Sequence, residues 1–156
     1  MVKANKYLKV CRKCRAACCK LGGPDLSEKE MKQVLKDGFR NCFRKVGKNH
    51  YELISTKGRC PYLKKDDSCE IHKVKPFICL CWPVLPKYKG NKRKYMIVEC
   101  PLTPLLSKKD IEKCKKEANK IPKNILYNCW KMSSLSKAEI KLIKKRLKKF
   151  KMKELK

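Results

Sequence analysis

The sequence predicts an α+β fold, mainly α: a small, irregular, cysteine-rich metal-binding domain with short β strands and a C-terminal helical segment. Three observations predict it. Twelve cysteines occur in 156 residues, nine of them before residue 82. Strand signal is confined to two short β-rich runs, Tyr51 to Thr56 and Lys94 to Glu99. After Pro104 the chain turns to helix and lysine. The length suits one domain over 1–156, with a cysteine-rich core at 1–103 and a Lys-rich helical extension at 104–156.

The elements follow in order. Residues 11–24 are too rich in Cys, Gly and Pro for one long helix, and Gly22-Gly23-Pro24 marks a turn. Ser27 with Glu30 forms a capping box, in which each side chain satisfies a free N–H at a helix start. Leu26, Met31, Val34 and Leu35 then recur at helical spacing, so a helix spans 27–37 and stops at Gly38. Pro76, Pro83 and Pro86 keep the region after Cys69 irregular, apart from one helical turn before Pro76. Lys87 to Lys92, with Gly90-Asn91, makes the turn before the second strand. Ser107 caps a helix to about Asn119, and 125–132 forms another. Ser136 and Glu139 repeat the capping box. Ile140, Ile143, Leu147 and Phe150 continue as one apolar stripe, with lysines to Lys156.

Composition narrows the function. No apolar run reaches the ~20 residues that span a bilayer, and Met1 to Val10 is basic without the apolar stretch of a secretory signal. The expectation is a cytoplasmic protein with no membrane partner. Clustered thiols in a reducing compartment point to metal before disulfides. The excess of lysine over arginine and the single glutamine, Gln33, lean toward a hyperthermophile, whose cytosol does hold disulfides. The formal charge of +29 implies attraction to nucleic acid or another polyanion through a Lys-rich surface.

The cysteines carry the chemistry. Cys11-x2-Cys14-x3-Cys18-Cys19 supplies four thiols in nine residues, and Cys60, Cys69, His72, Cys79 and Cys81 follow. Zinc takes four Cys or His ligands, and iron–sulfur clusters take Cys thiolates. Cys18 and Cys19 are adjacent, and neighbouring side chains tend to diverge, so they face different metals or one is not a ligand. The spacing matches neither the bacterial ferredoxin run nor a zinc ribbon. Cys42, Cys114 and Cys129 read as small buried residues, Cys81 and Cys100 are undecided, and His50 reads as surface. Tyr62, Phe77 and Trp82 read as core around the site.

Taken together, C-x2-C-x3-C-C over 11–19, then Gly58-x-Cys60-Pro61-x-Leu63, then Cys69-x-Ile71-His72-x3-Pro76-x2-Cys79, then Trp82-Pro83, resembles the CxxCxxCC family of zinc- or iron-chelating cysteine clusters. The resemblance covers about 11–83, with Cys100-Pro101 as its tail. It implies the ligand set Cys11, Cys14, Cys18, Cys19, Cys60, Cys69 and Cys79; His72 is added as a candidate although the family often has Tyr there. Lys75 and Leu80 stand where the family often has Arg. Related flagellin lysine N-methylases carry a similar cluster, so protein lysine methylation or iron–sulfur redox chemistry is conceivable by analogy. Three classes stay open: a metal-binding protein holding an iron–sulfur cluster or iron, with zinc as the alternative; a cluster-dependent enzyme; and a nucleic-acid binder with a structural metal.

Overall fold

The computed structural model describes residues 2–132 and 135–156. Its elements are helix α1 (Val2–Lys13), strand β1 (Asp25–Leu26), α2 (Glu28–Lys36), β2 (Phe43–Gly47), β3 (His50–Leu53), α3 (Phe77–Leu80), β4 (Val84–Lys89), β5 (Lys92–Glu99), α4 (Lys108–Asn119), α5 (Lys123–Lys131), α6 (Lys137–Leu147) and β6 (Lys151–Glu154). Short 3-10 turns occupy 17–20, 72–74 and 103–105.

This corrects the mainly helical expectation. The six α-helices and six strands of the described residues amount to 41% helix and 23% strand, a roughly balanced content, with the strands in two antiparallel sheets. The strand share is that of an average globular domain. Two strands were masked by residues that usually argue against them. Pro83 and Pro86 pointed to irregular chain, yet β4 runs through Pro86 as the edge of the sheet β4-β5-β6, where a missing N–H is tolerated. Lys151 to Glu154 read as a continuation of the last helix, yet α6 stops at Leu147 and the chain returns as β6 on the far edge of β5. Lys87 to Lys89 belong to β4 rather than to a turn, which shrinks to Gly90-Asn91.

The capping boxes at Ser27, Ser107 and Ser136 all form. Two buried clusters result. In the first, Leu26, Met31, Val34, Leu53, Tyr62 and Ile71 pack one face of the sheet β1-β3-β2 against α2. In the second, Cys81, Ala118, Ile121, Ile125 and Leu126 join α4 and α5 to β4. Residues alternate across a strand, so His50 and Glu52 face away from Tyr51 and Leu53. His50, expected at the surface, is 3% exposed, with Nε2 3.5 Å from Asp25 Oδ2. Asp25 pairs with Glu52 in register, and Arg44 forms an ion pair with Glu52. His50 and Glu52 are therefore buried polar groups on the second face of the first sheet, with Arg44 exposed at its side.

Candidate metal centre

Three segments bring the thiols together. The first begins at the end of α1, which carries Cys11. Arg15 and Ala16 adopt left-handed backbone (φ 57° and 48°) and reverse the chain, with Ala16 N–H donating to Cys11 O at 2.8 Å. Neither is glycine, so each costs about 1 kcal/mol or more, a strain that the surrounding structure must hold. The 3-10 turn that follows presents Cys18 and Cys19. The second segment, 60–69, is tied to the first by Cys60 N–H donating to Cys19 O at 2.9 Å. The third is α3, carrying Cys79. Its start is held by Glu30 Oε1, which accepts from Phe77 N–H at 2.7 Å, while Oε2 of the same carboxylate closes the α2 capping box.

The thiols share one electrostatic neighbourhood. Burial pushes Cys79 well up, and Cys19, Cys60 and Cys69 add to the push. Burial pushes Cys60 up to about 12, with Cys19, Cys69 and Cys42 contributing. Cys11 is raised by burial, then by Cys14, Cys19 and Cys100. The adjacent pair does not diverge: the Cys18 thiol donates a hydrogen bond to the Cys19 sulfur, which brings Cys19 down to about 7 and raises Cys18 well above its ordinary value. The Lys75 ammonium acts on Cys11, Cys19, Cys69 and Cys79, in each case favouring the thiolate. Lys20 and Arg59 add to this at Cys19.

Of the eight sequence candidates, Cys11, Cys14, Cys18, Cys19, Cys60, Cys69 and Cys79 act on one another electrostatically. His72 opens the 72–74 turn; its imidazole is lowered by burial and by Lys75. Two participants were not assigned as ligands from the sequence. Cys100, left undecided there, acts electrostatically on Cys11 from the end of β5, a relation that only the tertiary fold creates. Lys75 took its place in the resemblance as a departure, whereas here it is a cation shared by four thiols. Cys42 touches the group through Cys60 while packing against the first buried cluster. Cys81 belongs to the second cluster, where burial pushes it up to about 12; burial also raises Cys114 and Cys129, each electrostatically linked to Cys81.

The donor set fits a thiophilic ion or an iron–sulfur cluster: soft sulfur ligands in excess of four, half-buried, with cations to offset thiolate charge. Among the described residues no three Cys, His, Asp or Glu side chains stand in a ready coordination shell. The thiols are neighbours that must still draw inward and lose protons to bind.

The chain belongs to the CxxCxxCC family: the model described as "Putative zinc- or iron-chelating domain" matches residues 10–116. The match runs past the cysteine motifs through β4 and β5 and into α4. No curated protein and no solved structure matches the chain. No helix among the described residues is long and apolar enough to cross a membrane.

Proposed function

We propose that the protein holds iron, as an iron–sulfur cluster, or zinc, through Cys11, Cys14, Cys18, Cys19, Cys60, Cys69 and Cys79, with His72 at the margin. The observation that carries this reading is that separated cysteine segments meet, with Cys60 N–H donating to Cys19 O at 2.9 Å, while Lys75 favours the thiolate at Cys11, Cys19, Cys69 and Cys79. All twelve cysteines stand as free thiols in the structure. More thiols gather than one tetrahedral ion needs, which favours a cluster or two ions over a single zinc. Four thiolates with one divalent ion, or with a doubly charged cluster, carry about two negative charges, and Lys75, Lys20 and Arg59 offset them. The site's task on this reading is to store, carry or be folded by the metal. Clustered reduced thiols fit a cytoplasmic location.

Anaerobic purification followed by metal analysis and a visible spectrum tests the reading. Brown colour with labile sulfide identifies a cluster, and stoichiometric colourless zinc identifies the alternative. Cys79→Ser is expected to remove most of the bound metal, while Cys114→Ser, on α4, keeps it. Absence of both metals from the native protein, or equal losses in the two variants, overturns the assignment.

A further inference from the structure

The outer face of α6 stands apart from the thiols. The helix carries Lys137, Lys141, Lys144 and Lys145, and Lys148 follows as its C-cap; all five are exposed. At about 3.6 residues per turn they fall within an arc of about 100°, in a row about 16 Å long. The opposite side of the helix is the docked one. Ile143 is 1% exposed, and a Cβ on Gly22 would lie 3.3 Å from its side chain. Just past the helix, Phe150 meets the Trp82 ring edge-on, with centroids 6.0 Å apart. The acid of the helix, Glu139, is turned to its own start, where Oε2 accepts from the Ser136 N–H and hydroxyl. The helix is thus mounted by its apolar side, and its free side is cationic.

The usual reasons for a surface lysine do not produce this row. On α2 and at α4, lysine answers carboxylate: Lys32 pairs with Glu28, Lys115 with Glu112 and Lys120 with Glu117. Among the described residues none of the five α6 lysines has an ion pair. Lys137 and Lys141, Lys141 and Lys145, and Lys144 and Lys148 each stand four apart, a spacing at which like charges weaken a helix. The helix dipole favours cations in the last turn, which accounts for Lys144, Lys145 and Lys148. It opposes Lys137 in the first turn and does nothing for Lys141 between them. Solubility is served by charge anywhere on a chain of net charge +29 and needs no alignment. Charge complementarity with an extended anion supplies a reason for all five. We propose that the exposed face of α6 is a nucleic-acid-binding surface, with its lysine row laid on the phosphates of duplex DNA. The major groove of DNA admits an α-helix, and lysine binds phosphate as a point charge. Contacts of this kind bind without reading sequence. A membrane surface is the poorer match. A basic amphipathic helix seats in lipid headgroups through its apolar side, and that side of α6 is turned into the protein.

The test uses the full metal-loaded chain and fluorescence anisotropy on a short random-sequence duplex DNA over a salt series. The triple variant Lys141→Gln/Lys144→Gln/Lys148→Gln is compared with Lys29→Gln/Lys36→Gln/Lys113→Gln, which removes the same charge from exposed positions on α2 and α4. Gln and Lys have similar helix propensity, so both variants keep the fold. Each phosphate contact contributes about 0.9 to the slope of log K against log salt. The α6 variant should therefore lose about 2 to 3 from the slope and bind roughly tenfold or more weakly at low salt, with the control changed less than about threefold. Arginine at the same three α6 positions keeps the charge and should keep the slope. Equal losses in the two Gln variants would assign binding to the diffuse charge of the whole chain and overturn the proposal. No duplex binding, or binding of the parent only to phosphatidylserine vesicles, overturns it as well. None of these outcomes depends on which metal the thiols hold.

Discussion

Asp25 sits in an environment that disfavours its charged form. On β1, which pairs with β3 and contacts α5, it lies 3.5 Å from His50, and burial first, then Glu52, pushes its carboxyl up to about 7. The folded protein therefore keeps this proton up to near neutrality, while the unfolded chain releases it near pH 4. Between those limits the folded state binds more protons, so stability is full below about pH 4 and is lost as pH rises through about 7. His50 works in the opposite sense: burial lowers its imidazole, so just below its ordinary value the unfolded chain binds more protons and stability rises with pH. Asp25→Asn keeps the shape and removes the first effect. Urea denaturation at equal metal loading should show the variant gaining on the parent by roughly 1–3 kcal/mol between pH 5 and 7.5. Parallel curves across that range would mean that Asp25 is ionised in the folded protein throughout.

At the scale of elements, Glu30 couples two of them. One oxygen closes the capping box of α2 and the other accepts from Phe77 N–H at the start of α3, which carries Cys79. Ser27→Ala removes only the cap and should cost about 1 kcal/mol with metal content intact. Glu30→Ala leaves the Phe77 N–H without its acceptor as well. It should cost roughly 2–4 kcal/mol and release metal faster, a rate read by a chromogenic chelator. Equal release from the two variants would show that α3 is held without Glu30. The Ser-x-x-Glu signal was legible in the sequence, but only its local half. The same division runs through the fold. Helices with a local start signal at Ser27, Ser107 and Ser136 were readable, because a cap is a contact between near neighbours. β4 and β6 were not, because what makes them strands is the partner β5 rather than their own Pro86 or lysine-rich residues. The Cys11–Cys19 and Cys60–Cys79 groups were readable from spacing. Their junction at Lys75, and the arrival of Cys100, depend on contacts far apart in sequence. His50 was misread because nothing local reveals that the fold buries it beside Asp25 on the second face of its sheet.

Over the whole molecule, the C-terminal extension holds the thiol-bearing segments from behind. Arg146, on α6, donates through Nη1 to Lys20 O at 2.6 Å and Lys57 O at 2.9 Å. Lys20 directly follows Cys19, and Lys57 stands three residues before Cys60. Gly58 leaves room for this: its φ is +76°, and a Cβ there would lie 2.7 Å from Nη1. Gly22 N–H closes the arrangement by donating to Gly58 O at 2.8 Å. β6 adds a second tie by pairing with β5. Both lie beyond residue 116, where the family match ends. We infer that 1–156 unfolds as one unit rather than as a core with an appended helix. Arg146→Ala removes hydrogen bonds from a charged donor, worth about 1.5–3 kcal/mol each. A loss of roughly 2–4 kcal/mol is expected, with a single thermal transition shifted down and metal released in the same transition. Arg146→Lys, which keeps the charge but not the fork, should recover only part of it. Two separate transitions in the parent, or an Arg146→Ala protein that melts early yet keeps its metal to the parent's temperature, would show that the extension and the thiol centre are independent.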